Sequence, residues 1–399
     1  MNYGIFKHLA SDNHYLSITK ALNSARCTEQ TAQSLKRITK KDICYAHMGQ
    51  LVIHNGICYT TFLQNSGNDG EEHSSVTSGV VLGIFSVDKI MSESFNVEKD
   101  IEFYPVGKKG DFCAGYKAHS IFKDNSMCLV GDKLYICFSF TTEDDKSHIF
   151  SKAFNICTKK WELEKAVVLR FNDTIYDFSD KTLNVVYKDK GFEERAKGLI
   201  ELVSAWSKYK GEYYATGITI DGPNNGFVVK TKDFEVMDLV DVVPFNDMGT
   251  AEIASYIYKD KLFVACRQNY GIPYLYMGLL DLQTLEWKYH YKIPDGNSRP
   301  WFFEYNDELY LLNTIEEHDR RYTNISRVRT IDSQFEVLKY HIPIECMATL
   351  KNCGSYHATA IYKGNVYFVC TLNTESFGKL SMNFYNEEDV NKKMIELFE

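Results

Sequence analysis

The strongest constraint on this chain is a repeated pair of apolar segments flanking a short polar turn. Six copies run along the sequence, from Gln50 to Leu63, Ser126 to Ser139, Leu202 to Gly217, Ala254 to Arg267, Pro300 to Asn313 and Ala358 to Thr371. The turns include His-Asn-Gly, Gly-Asp, Lys-Asp, Asn-Asp and Lys-Gly, which are residue types of tight hairpins. Each second strand has an aromatic near its start: Tyr59, Tyr135, Tyr214, Phe263, Tyr310 and Tyr367. A recurring hairpin is what radial repetition of one sheet produces, and a two-sheet sandwich does not account for it.

Further strand-like runs follow several hairpins. They are Gly79 to Val87 with Ile101 to Val106, Gly226 to Phe234 with Asp238 to Val243, Tyr274 to Leu282 with Trp287 to Ile293, and Ile325 to Ile331 with Phe335 to Ile342. Four antiparallel strands per unit predict an all-β, single-domain β-propeller over residues 1–399 with six visible blades. Two intervals between the repeat aromatics are wide, so five or seven blades also fit. After Thr371 only the run from Lys379 to Tyr385 remains. The last blade is therefore expected to borrow a strand from the Tyr3 to Thr19 region, closing the ring. Residues 386–399 read as a short amphipathic helix.

Composition narrows the function. The net charge is −8 with pI about 5.8, and no Lys/Arg block stands out, which argues against general binding to nucleic acid or an anionic membrane. Residues Met1 to Ala10 lack an apolar stretch of the secretory type, and no apolar run is long enough to span a bilayer. The eleven cysteines include no Cys-x-x-Cys pair, and Cys58, Cys137, Cys266 and Cys370 sit inside strand patterns. Together these features read as a cytoplasmic protein with reduced, buried thiols.

The topology also says where a site belongs. In a propeller blade the start of the first strand and the end of the second meet on one face, at the mouth of the central channel. First-strand starts offer Tyr45, His47, Gln50, His119, Asp124, Asn125, Glu201, Thr250, Glu252, Arg299, Trp301, Tyr356 and His357. Second-strand ends offer Asn65, Asn225, Arg267, Asn269, Tyr270, Asn313, Glu316, Asn373 and Glu375. Amides read hydroxyls, aromatic rings cover sugar faces, and arginine forks to a carboxylate, so the set suits a polyhydroxylated, acidic ligand.

Within this set His47 and His119 are candidate acid/base groups, Tyr270 a further one, and Glu252 a carboxylate catalyst. Arg267 and Arg299 are candidates to bind a sugar carboxylate. An arginine entering a strand at the channel needs a partner, and Glu252 or a substrate carboxylate supplies one. Trp301 is a candidate stacking surface, and Asn125, Asn225, Asn269, His357 and Asn373 are candidate hydroxyl binders. His47, His119 and His357 come from distant units without ligand-type spacing, so neither a metal nor another cofactor is expected.

The blade layout and the His, Tyr, Arg and Asn mouth resemble the sialidase-like propeller superfamily. That group's neighbours include propeller lyases acting on uronic-acid glycans and rhamnosidase-like enzymes. The sialidase pattern Ser-x-Asp-x-Gly-x-x-Trp and an N-terminal Arg-Ile-Pro are absent from the chain, and no catalytic residue is carried over. The resemblance implies a carbohydrate-active enzyme cleaving a terminal sugar from a short, acidic oligosaccharide, by hydrolysis or by uronate-type elimination. The alternative is a non-catalytic propeller that binds a glycan or a protein.

Overall fold

The expected hairpins form in the computed structural model. It describes residues 33–66, 79–120, 123–192, 197–221, 226–244, 250–268, 274–294, 298–314, 322–328, 344–351, 354–372 and 374–380. Five sheets are four-stranded antiparallel blades. Blade 1 comprises Tyr45–His54, Ile57–Asn65, Gly79–Ser86 and Glu102–Lys108. Blade 2 comprises Lys123–Val130, Lys133–Thr141, Ser147–Asn155 and Lys160–Ala166. Blade 3 comprises Thr250–Tyr258, Lys261–Gln268, Tyr274–Asp281 and Glu286–Pro294. Blade 4 comprises Trp301–Tyr305, Glu308–Thr314, Tyr322–Val328 and Ile344–Lys351, and blade 5 Ser355–Tyr362, Asn365–Leu372, Thr374–Lys379 and Gln33–Arg37.

Between blades 2 and 3 lies a wider, seven-stranded sector. It spans Val168–Phe171, Thr174–Asp177, Lys197–Leu202, Ser207–Tyr209, Glu212–Asp221, Gly226–Thr231 and Val236–Val242. The expectation of six uniform four-stranded blades is corrected here, because only five sheets have that form. Two causes are visible. The inner strand breaks after Leu202 and resumes at Ser207, so both pieces pair with Glu212–Asp221. An outer hairpin also adds through Val168–Phe171, which runs parallel to Val236–Val242.

Packing explains why the strands read as apolar runs rather than alternating ones. Gly79–Ser86 is buried along almost its whole length, because each middle strand faces a neighbouring sheet on both sides. The core is thus divided among the inter-sheet gaps. Tyr59, Leu63, Phe138 and Phe150 fill the gap between blades 1 and 2, and Phe263, Leu275, Phe302 and Leu309 that between blades 3 and 4. Fully burying one such side chain contributes roughly 1.5–3 kcal/mol. The inner strands neighbour each other in a closed cycle from blade 1 to blade 5 and back, with the sector joining through Lys197–Leu202 towards blade 2 and Ser207–Tyr209 towards blade 3. Cys58, Cys137, Cys266 and Cys370 are buried and form no disulfide.

Ring closure takes the expected form with different residues. Gln33–Arg37 supplies the fourth strand of blade 5, pairing with Thr374–Lys379 through Arg37 opposite Ser376. The Tyr3 to Thr19 region lies outside the described residues. The strand expected from Lys379 onward is placed earlier, with Lys379 at its end, and residues 381–399, including the expected helix, also lie outside them. The outer strand of blade 4 is Ile344–Lys351 rather than the run from Phe335. Helices were not anticipated between the blades: the longest of those described, Asp180–Asp189, is capped by the Ser179 side chain and buries Leu183, Val186 and Tyr187 in the gap between blade 2 and the sector.

A chain beginning at Thr39 loses the closing strand and Ile38, which is fully buried. It leaves Thr374–Lys379 as an open edge. The melting temperature is expected to fall by at least about 5 °C. Scanning calorimetry checks this, and an unchanged melting point would show that the strand does not close the ring.

Candidate functional site

The mouth is built by one repeated irregularity. In blades 1, 2, 3, 5 and the sector, the inner strand carries an extra residue just after it begins. The skips fall between His47 and Gln50, Lys123 and Ser126, Lys197 and Ile200, Thr250 and Ile253, and Ser355 and Ala358. A bulge bends the strand and re-aims the side chains within it. Those positions hold Gly49, Asn125, Glu252, Tyr356 and His357. Met48 and Tyr356 have φ of 64° and 56°, in the left-handed region that non-glycine residues enter at a cost of about 1–2 kcal/mol.

Four blades converge on one group of side chains. Arg267, at the end of the second strand of blade 3, donates through Nη1 to Glu252 Oε2 at 2.5 Å and to the Tyr356 hydroxyl at 3.0 Å. Glu252 belongs to blade 3 and Tyr356 to blade 5, so Arg267 reaches across blade 4. Burial pushes the Glu252 carboxyl up, but Arg267, the Tyr356 hydroxyl and Arg299 together outweigh it and hold it below the usual carboxylate range. His47 of blade 1 packs on the Tyr356 ring with centroids 3.9 Å apart.

Arg299 stands at the centre. It is 1% exposed, and its Nη2 donates to the carbonyl of Gly49 at 2.7 Å and of Tyr356 at 3.4 Å. Its guanidinium lies over the rings of Trp301 and Tyr356, at 5.5 and 5.6 Å. Its Nε and Nη1 have no hydrogen-bond partner among the described residues. Two unmet donors on a buried cation are costly, and an anion seated against either of them would offset that cost. Nearby, Glu375 is fully buried and accepts from the Thr371 hydroxyl at 2.6 Å. The other face of that hydroxyl meets His47 Nδ1 at 3.0 Å. Burial pushes the Glu375 carboxyl up to about 7 against the smaller pull of Thr371, Arg299 and the Gly49 N–H.

The structure thus gathers His47, Glu252, Arg267 and Arg299, four of the residues singled out from the sequence. Trp301 lies beneath Arg299 rather than at the mouth, donates through Nε1 to Thr359 at 3.1 Å, and lines a cavity of about 250 Å3 along the central channel. Asn125 accepts from Thr61 across the gap between blades 1 and 2, and its Nδ2 is buried without a partner. His357 is turned between blades 4 and 5, with Nε2 3.0 Å from the Thr323 hydroxyl. His119 sits on the rim with its side chain 45% exposed and Nε2 3.7 Å from Glu143, apart from the group around Arg299. Asn225, Asn269, Tyr270 and Asn373 lie outside the described residues. Tyr356, Thr371 and Glu375 carry more of the site than the sequence reading gave them. The signal was their place at the bulge and at the end of the paired strand. Among the described residues no group of acidic, His or Cys side chains is arranged to hold a metal ion.

Solved sialidases share this architecture. The Trypanosoma rangeli sialidase in complex with sialic acid superposes with a TM-score of 0.55 at 10% identity, over 92% of this chain and 60% of that one. The Hadza microbial sialidase Hz136 superposes with a TM-score of 0.58 at 10% identity, over 85% of this chain and 66% of that one. The chain therefore spans about 60–66% of the length of these structures, and the likeness is one of fold. No family model and no curated protein matches the chain.

Replacing Arg267 by Leu leaves Glu252 charged and buried beside a single remaining cation. It is expected to cost about 3–5 kcal/mol in denaturant unfolding, and a loss under 1 kcal/mol would contradict the pairing. Glu375 has the opposite sign. Its carboxyl titrates near 7 in the fold against an ordinary value of 4.5, so ionising it removes stability as pH rises through that window. The melting point of Glu375→Gln relative to the parent should therefore rise by roughly 2–4 °C between pH 5 and pH 8. A difference that stays flat with pH would show that Glu375 is not held protonated.

Proposed function

We propose that the chain is a carbohydrate-active enzyme that hydrolyses a terminal acidic sugar from a short oligosaccharide at the channel mouth. The observation that carries this reading is the Tyr356 hydroxyl held between Glu252 and Arg267, beside the unmet Nε and Nη1 of Arg299. Arg299 would take the sugar carboxylate, fixing the anomeric carbon over Tyr356. A phenol is a poor nucleophile until it loses its proton. Glu252, ionised and hydrogen-bonded to it, is placed to accept that proton, while the Arg267 N–H stabilises the phenolate.

The phenolate then attacks the anomeric carbon and the glycosidic bond breaks. The leaving oxygen takes a proton from His47, which packs against the same ring. Water, giving its proton back to His47, releases the sugar, and the Tyr356 phenolate takes its own proton back from Glu252. A tyrosine nucleophile is the known exception to the two-carboxylate scheme of glycoside hydrolysis, and it appears in sialidases. The fold-level likeness supports the same class, since the Trypanosoma rangeli sialidase has been trapped with 2,3-difluorosialic acid as a covalent intermediate.

Incubation with a panel of acidic and neutral oligosaccharides, read by product mass, tests the reaction. Products that together gain one water support hydrolysis, whereas an unsaturated product without added water replaces it with elimination. Tyr356→Phe should lower turnover about 10³-fold or more, and Glu252→Gln about 10²–10⁴-fold. Intact-mass spectrometry after 2,3-difluorosialic acid should show an adduct that Tyr356→Phe cannot form. Retained turnover in Tyr356→Phe would remove the proposed nucleophile.

A further inference from the structure

The buried carboxylate of Glu375 accepts from Thr371 rather than from the Tyr356 hydroxyl or the unmet Nε and Nη1 of Arg299. Glu375, Thr371 and His47 form a chain from the floor of the site to the ring that packs on Tyr356. We propose that Glu375, acting through the Thr371 hydroxyl, decides which ring nitrogen of His47 carries the proton, and so is a positioning residue.

The Thr371 hydroxyl has a single proton and lies between Glu375 Oε1 at 2.6 Å and His47 Nδ1 at 3.0 Å. An ionised carboxylate only accepts. The hydroxyl must then donate to Glu375 and accept from His47, which places the proton of the neutral ring on Nδ1 and leaves Nε2 a base. A protonated Glu375 reverses the chain. With its proton on Oε1 it donates to Thr371, Thr371 donates to Nδ1, and the ring proton sits on Nε2, from which it can be given away as Nδ1 takes the Thr371 proton and Thr371 that of Glu375. One proton at the far end exchanges base for acid.

The surroundings make that proton responsive. Glu375 is faced by Arg299 from the lead-in to blade 4, by the Gly49 N–H and His47 from blade 1, and by Thr371 within blade 5. Tyr356 and the Glu252–Arg267 pair lie beyond Arg299, while Arg37 of the closing strand turns away to Thr39 and to the carbonyls of Lys40 and Ile43. Gly49 permits the close approach, since a Cβ there would stand 2.7 Å from Glu375 Oε2. Burial raises the Glu375 carboxyl to about 7, and the Thr371 hydrogen bond and then the Arg299 charge keep it from rising further. An anion seated on Arg299 offsets that charge, so Glu375 takes up a proton and His47 is set with Nε2–H. This last step rests on the reading of the mouth as a site for an acidic sugar.

The test reads the His47 ring directly in the full-length protein. Histidine is labelled with 15N, and the His47 signals are assigned by their loss in His47→Gln. At pH 8.5 the Nδ1–H tautomer should dominate in the parent and in Thr371→Ser. It should lose that dominance in Thr371→Val, which keeps the shape and removes the hydroxyl. In the parent the Nε2–H share should rise as pH falls toward 7, and in Glu375→Gln it should not follow pH. Adding sialic acid at pH 7.5 should raise the Nε2–H share in the parent. A tautomer ratio unmoved by Thr371→Val overturns the proposal, whatever the protein hydrolyses. A ratio that Thr371→Val moves and sialic acid does not upholds the relay and counts against the acidic-sugar reading alone.

Discussion

The site depends on one buried cation. Arg299 enters the channel just before the inner strand of blade 4 and ties blade 4 to blades 1 and 5 through the carbonyls of Gly49 and Tyr356. Burying a guanidinium is tolerable only when charge and hydrogen bonds compensate, and here the compensation is incomplete. Its positive field helps keep Glu252 ionised and lowers Glu375 from where burial alone would leave it. The rings of Trp301 and Tyr356 both lie within cation–π distance of its guanidinium. What remains unmet among the described residues is the pair of donors Nε and Nη1, a buried deficit of the kind found where a protein is organised for a ligand rather than for stability alone.

The same polar logic holds the sheets to each other near the axis. Trp206 of the sector donates to Ser126 of blade 2, and Thr216 and Ser204 of the sector bond Ser255 of blade 3. Thr61 of blade 1 bonds Asn125 of blade 2. Apolar side chains fill the gaps between sheets, while hydroxyls and amides set the angular position of each sheet near the channel. Shape and chemistry are therefore coupled, because the bulges that aim Glu252 and Tyr356 inward belong to the strands these bonds align.

Much of the fold was legible because hairpins are local. The turn after Ile53, the run from Leu262 to Cys266 and the aromatic at Tyr367 carry their own strand signals, whatever surrounds them. The strand Gln33–Arg37 was misplaced because its partner, Thr374–Lys379, lies at the far end of the chain, and no local signal records such a pairing. The outer strand of blade 4 was misplaced for a related reason: the run from Phe335 and the observed Ile344–Lys351 are both apolar enough for a sheet. Glu252, Arg267 and Arg299 were found because charged residues flanking apolar strands stand out. Tyr356 and Glu375 were underrated, since one is a tyrosine among 27 and the other looks like any strand-end glutamate. Only the bulge that re-aims Tyr356 and the fold that buries Glu375 give them chemistry.

On the proposed reading, Arg299 offers its unmet Nε and Nη1 donors to a sugar carboxylate. Titration calorimetry with sialic acid and with its methyl ester, on the parent protein and on Arg299→Met, tests it most directly. The account predicts measurable binding of the acid to the parent, with a loss of at least tenfold for the ester and for the variant, as expected when a charge-assisted pair worth about 1.5–3 kcal/mol is removed. Equal binding of acid and ester by the parent would contradict it.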